Sequence, residues 1–170
     1  MPSKFENSLS DIAAKEAFKK LNLKYKKYSF LDRGSDERQY NSPGIDLPIA
    51  SIFRTMYGKY PEYHTSLDNF DLVNIKGLSG GFKILKTAIT ILLNLIVPKV
   101  KILCEPQMGK RNLYPHLSQK KTNKQIRNYM NFLQYADGKN DLKNISNIIK
   151  LKFKDTLKIY KLLRKKKIIL

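Results

Sequence analysis

Metal-ligating side chains are scarce in this chain: it has two histidines, His64 and His116, and one cysteine, Cys104. A catalytic zinc normally takes three protein ligands, so a complete site would have to draw on carboxylates as well. A lone cysteine excludes an internal disulfide, and Cys104 has no CxxC partner to make a redox or zinc-knuckle motif. The N-terminal MPSKFENSLSD is polar where a signal peptide needs an apolar core. Thr87 to Val97 is the longest apolar run, interrupted at Asn94 and well short of the roughly 20 residues that span a bilayer. We expect a cytoplasmic protein with no membrane segment, and a buried helix for that run. No glycine-rich loop followed by lysine opens a helix, so a phosphate-cradling P-loop is excluded as well.

What the chain has in excess is positive charge. Its 170 residues carry 33 Lys and Arg against 14 Asp and Glu, a net charge of +19. Residues 119–170 hold 15 of the basic groups and 3 of the acidic ones. Such clustering is the electrostatic footprint of phosphate binding. Yet 27 of the 33 are Lys, and base recognition favours Arg. The ArgLysLysLys run at 164–167 also suits a helix C-terminus, where cations offset the negative end of the dipole. Nucleic acid is therefore the secondary reading of the partner.

Local patterning predicts several elements. Ser8 or Ser10 can cap a helix to about Leu21, with Ile12, Ala13, Ala17, Phe18 and Leu21 on its apolar face. Tyr25 to Phe30 alternates like a strand, and Leu47 to Arg54 is an apolar, partly β-branched run like a buried strand. Leu78 or Ser79 begins an apolar helix that Pro98 ends. Further on, Thr122 can cap a helix through Tyr135, AspGlyLys at 137–139 makes a turn, and shorter helices fit Leu142 to Leu151 and Lys154 to Lys165. Three short helices and an apolar tail match a winged-helix layout. The expected domains are 1–103, a linker strap at 104–118, and a winged helix at 119–170.

Chemistry-bearing residues concentrate between Gly34 and Asn69. Asp36, Glu37 and Arg38 sit in a loop between two predicted strands, where they could orient a metal ligand or bind a charged substrate end; a solvated turn with a local ion pair reads equally from these residues. His64 has Glu62 before it and Thr65 and Asp68 after it, acceptors that could hold its second ring nitrogen. A loop histidine without metal is the commoner arrangement. His116, beside Pro115 and without acidic neighbours, is the weaker candidate.

GSDERQYNSPG, LPIASIFRTMYGKYPEYHTSLDN and CEPQMGKRNLYP, in that order, resemble the C-terminal half of bacterial aminopeptidase-like proteins with an appended winged helix, often named polysaccharide biosynthesis proteins with an aminopeptidase-like domain. The resemblance implies an α/β fold, here an incomplete zinc-aminopeptidase-like sheet with packed helices, followed by a small C-terminal winged-helix domain. It implies His64 as the last zinc ligand, Asp36 as a proton-handling acid and Asp68 as a loop-orienting acid; with the local run, the candidates are Asp36 and Glu37 for catalysis, His64 for metal, and Asp68 and Arg38 as supports. Full family members carry an upstream His motif and a ProGlu motif, and the five Glu residues here (Glu6, Glu16, Glu37, Glu62, Glu105) supply neither. The expectation is a truncated or split zinc aminopeptidase-like protein, inactive alone because its zinc site is incomplete; the resemblance gives the complete family member metal-dependent amide hydrolysis on a peptide-like or aminoacylated substrate, and this chain a partner chain carrying the missing half. The alternative is a nucleic-acid- or protein-binding module acting through the basic winged helix.

Overall fold

Ser8 starts the first helix by a reciprocal exchange. In α1 (Leu9–Lys20) its hydroxyl accepts from the Asp11 amide, and the Asp11 carboxylate accepts from the Ser8 amide. The structure, a computed structural model, describes residues 1–113 and 124–170; His116 and the expected cap Thr122 lie outside the described residues. The chain divides into two compact units, Met1–Asn94 and Leu95–Leu170.

In the first unit α1 packs on α3 (Ile75–Leu93). The contact is built from small and branched side chains, Ala17 against Ile84 and Ala88, with Phe18, Leu21, Ile52 and Ile91 around it. Asn74 caps α3 by accepting from the Gly77 amide, so the helix begins before the expected Leu78. Three glycines in its first half weaken it by about 1 kcal/mol each relative to Ala. One of them is closely approached: a Cβ at Gly80 would sit 3.2 Å from the Arg54 guanidinium, which would have to shift by a few tenths of an ångström. α3 is not the buried helix expected, because one of its faces lies open to solvent.

The described residues form no α/β sheet of the kind expected from the sequence. Among the described residues, strand pairing is confined to two isolated antiparallel bridges, Lys99 with Asp137 and Val100 with Ile169. Neither Tyr25–Phe30 nor Leu47–Arg54 is a strand. A strand needs a neighbour to receive its backbone groups, and apolar alternation says nothing of whether one exists. The groups of 47–54 go elsewhere: Met1 and Ser51 exchange both backbone bonds, the Asn41 amide donates to Ile49 O, and Pro48 has no N–H to give while its carbonyl accepts from Ser10. Between α1 and α3 the only regular pieces are one 3-10 turn at Phe30–Asp32 and one turn of helix, α2 (Glu37–Tyr40).

The second unit is helical with a paired backbone belt. α4 (Lys124–Tyr135), α5 (Leu142–Ile148) and α6 (Phe153–Lys165) surround Phe132, Leu133, Leu142, Ile145, Leu163 and Ile168. Segment 98–101 ties the ends together: Val100 donates to Ala136 O at 2.8 Å, Gly138 to Pro98 O at 2.9 Å, Lys101 to Ile168 O at 3.0 Å and Leu170 to Lys99 O at 2.8 Å. Asp137 accepts from the Lys139 and Asn140 amides, and Gly138 sits at φ +81, where a Cβ would also press on Lys99. Asp141 caps α5, Lys150 takes φ +54 in the turn, and Ser146 donates to Leu151 O at 2.7 Å. Two helices joined across so short a turn form a helix-turn-helix.

Candidate functional site

The 34–69 segment is organised by Glu37 and a row of aromatic rings. Glu37 is buried, and its Oε1 accepts from the Gly34 amide at 2.9 Å, the Ser35 amide at 3.1 Å and the Tyr57 hydroxyl at 2.8 Å. Burial by itself would raise this carboxyl's pKa; the bonds from Ser35, Gly34 and Tyr57 outweigh it and hold the pKa below the usual value. Burial and the adjacent Glu37 charge push Tyr57 up to about 12. Together they fix the 34–37 turn against residue 57. Phe53, Tyr57, Tyr63 and Tyr60 continue as a chain of ring contacts at 5.5 to 6.5 Å.

His64 closes that row. Its ring stacks on Tyr63 at 4.0 Å and 18°, on a backbone at φ +58. Thr65, expected to support it, gives its hydroxyl to Glu62 O and accepts from the Leu67 amide, and Asp68 accepts from the Tyr60 hydroxyl at 3.2 Å. Asp36 and Arg38 are exposed at either side of Glu37, and the Asp36 side chain does not cap α2. Among the described residues, no group of three or more His, Cys, Asp or Glu side chains could hold a metal ion. The described residues therefore do not fit a zinc ion, and the metal-binding, hydrolase and peptidase readings are corrected on that finding. The physical reason is that ligand count, not motif resemblance, makes a metal site.

A groove of about 680 Å³ does open in the first unit, between α1, α3, residues 23–28 and residues 50–56. It is lined by Lys15, Lys24, Lys26, Lys27 and Arg54, and by none of Asp36, Glu37, His64 or Asp68. The acid that lines it, Asp11, is already engaged: burial would raise its pKa, but four bonds from Ser3 and Ser8 hold it low.

The denser concentration of charge lies in Leu95–Leu170, with 19 Lys and Arg against 4 Asp and Glu, a net +15. On α6, Thr156, Ile159 and Leu163 face the core. The opposite face presents Lys154, Lys158, Lys161 and Lys165, spaced four, three and four apart so that they form one exposed stripe, with Arg164 beside it. Asp155 is the one acid on this helix; it lies 3.4 Å from Lys158 in an exposed pair of little energetic weight. Arg164 leans on Tyr160, Nη1 being 3.3 Å from the hydroxyl. The buried residues Thr156, Ile159 and Leu163 fix which way its lysines point. The four-three-four spacing was present in the sequence; burial of these three residues is what shows that the stripe faces solvent.

Comparison with known proteins divides the chain at the same place. Residues 1–94 match the family described as "Domain of unknown function (DUF4910)", and residues 96–170 match "winged helix-turn-helix". A Clostridium acetobutylicum protein provisionally named a polysaccharide biosynthesis protein with an aminopeptidase-like domain is 38% identical over 113 residues, covering 66% of this chain and 26% of that protein. A crystal structure from the same species, provisionally described as a peptidase, superposes with a TM-score of 0.55 at 28% identity, covering 99% of this chain and 37% of that one. The chain thus spans about a quarter of the length of the curated relative it matches. No helix among the described residues is long and apolar enough to cross a membrane.

Proposed function

Because the chain belongs to the family described as Domain of unknown function (DUF4910) and continues into a winged helix-turn-helix, we propose that it is a non-catalytic binding protein that engages double-stranded nucleic acid through α6. The observation that carries this reading is the cationic stripe of Lys154, Lys158, Lys161 and Lys165 on the second helix of the helix-turn-helix. That helix is the one such modules lay in the major groove.

The chemistry of the stripe defines the mode of binding. Lys is a point charge on a flexible stem, suited to phosphate oxygens, whereas bidentate reading of guanine calls for Arg. Phosphate contacts position a protein without carrying sequence information. The chain would therefore bind duplexes of unrelated sequence with similar affinity, driven by release of counterions. Its relation to a peptidase-named relative, whose structure matches 99% of the chain, supports a shared ancestry that takes in both units. With no fitting ligand set among the described residues, amide hydrolysis is not part of the proposal.

The test is a titration of the full chain against two fluorescent duplexes of unrelated sequence at low salt. Saturable binding to both, weakened by Lys158→Gln/Lys161→Gln, is expected. No anisotropy change at low salt would remove the reading, and so would an unaltered affinity in that variant.

A further inference from the structure

One wall of the groove in the first unit is main chain with its hydrogen-bonding groups open. Residues 23–28 line the groove and run without helix, turn or bend. Among the described residues, no backbone N–H or C=O of Lys24, Tyr25, Lys26, Lys27 or Tyr28 bonds to another backbone group. Such a row of donors and acceptors is the edge on which a second extended chain pairs. The segment contains no Pro and no Gly, so every amide in it can donate. At roughly 3.3 Å per residue, five residues offer about 17 Å of edge.

Side chains on this edge state what the incoming chain must carry. Alternation puts residues 24, 26 and 28 on one side and 25 and 27 on the other. The Lys26 ammonium lies 5.2 Å from the Tyr28 ring, as positions two apart should, and the Tyr25 ring lies 4.4 Å from Phe18 of α1. One side is thus turned to the apolar surface of α1, and the other carries Lys24 and Lys26. Lys27 is paired with the Glu6 carboxylate, whereas no described carboxylate pairs with Lys24, Lys26 or Arg54, which lines the groove from the 50–56 segment. The acid of the groove, Asp11, has its oxygens taken by Ser3 and Ser8. Ile52, Ile84 and Leu85 add apolar lining. Pairing this edge with its own copy would set lysines opposite lysines, which is destabilising. A phosphate would answer the cations but offers no donor to the carbonyls of the same row; an extended polypeptide answers both. We propose that residues 24–28 capture an extended polypeptide segment by main-chain pairing, and that acidic residues alternate with apolar ones in that segment. This edge is independent of α6 and of the nucleic-acid reading.

The experiment uses the full chain and three labelled octapeptides: alternating Glu and Val, alternating Lys and Val, and the Glu/Val peptide with every backbone amide methylated. Saturable binding of the Glu/Val peptide, weakened by salt and at least about tenfold tighter than either of the others, is the expected result. Hydrogen exchange should show the amides of 24–28 open in the free chain, with alternate ones protected when the Glu/Val peptide is bound. Lys24→Glu/Lys26→Glu should reverse the preference between the Glu/Val and Lys/Val peptides. Both lysines are exposed, and an unchanged far-UV circular dichroism spectrum verifies that the variant folds. Equal binding of the methylated peptide overturns the proposal, since charge alone would then hold it. So does the absence of Glu/Val binding, protection of 24–28 already present in the free chain, a dimer formed through this edge, or displacement of the peptide by inorganic phosphate at constant ionic strength.

Discussion

Salt dependence offers the sharpest test of the α6 interface, because its magnitude follows from counting. Five cations, Lys154, Lys158, Lys161, Arg164 and Lys165, are exposed on one side of the helix. If each neutralises one phosphate of B-DNA, log K falls against log salt with a slope of about −4.5, at about 0.9 per contact. Between 50 and 200 mM salt that is a loss of roughly 500-fold in affinity. Lys158→Gln/Lys161→Gln leaves three contacts, a slope of about −2.7 and a loss of roughly 40-fold over the same interval. Both residues are solvent-exposed, so the substitutions leave the Phe132 and Leu163 core untouched. Fluorescence anisotropy with a duplex of about 20 bp, long enough for one helix to lie along the groove, reads the slopes directly. A parent slope no steeper than about −1, or equal slopes in parent and variant, would refute the counting argument and with it the interface.

Three further outcomes test the two units separately. Absorbance titration of the tyrosines should reveal a phenol raised to about 12, chiefly by burial, and Glu37→Gln should lower it in part, because the neighbouring negative charge is gone while the burial remains. Asp11 and Glu37 have lowered folded-state pKa values, so their contribution is complete above the ordinary values of 3.8 and 4.5 and is lost as pH falls through the lower folded values; Asp11→Asn should cost about 1–3 kcal/mol in denaturant unfolding at pH 7 and flatten the acid limb, and an unchanged limb counts against the Ser3–Asp11–Ser8 network. In the second unit Phe132 is fully buried, and Phe132→Ala should cost about 3–5 kcal/mol, with duplex binding lost together with the near-UV signal. Retained binding with a destabilised core would place the interface outside the helix-turn-helix.

How much could be read along the chain depended on how local each signal was. Ser8 with Asp11, and Asp137 with Gly138, are caps and turns whose donors and acceptors lie within three residues, and they occur where local chemistry predicts them. Cap chemistry also shows where reading failed: Asn74 starts α3 ahead of the expected Leu78 or Ser79, its side-chain oxygen accepting from the Gly77 amide. Leu47–Arg54 has the composition of a buried strand, but a strand is a relation between two segments, and its backbone is met by Met1, Asn41 and Ser10. His64 differs in kind: its ring stacks on its own sequence neighbour Tyr63, and what the sequence leaves open is which of the adjacent rings and acids it meets.

The sequence by itself determined the helices of the second unit, the charge that accumulates there and the kinship of the first, since each is carried by short-range patterns or by residues in order. Tertiary structure decided which side of α6 the lysines occupy, that the apolar face of α3 is left open, and that Glu37, His64 and Asp68 form no ligand group. Those outcomes depend on which surfaces pack together, and packing joins residues whose separation along the chain leaves no local trace.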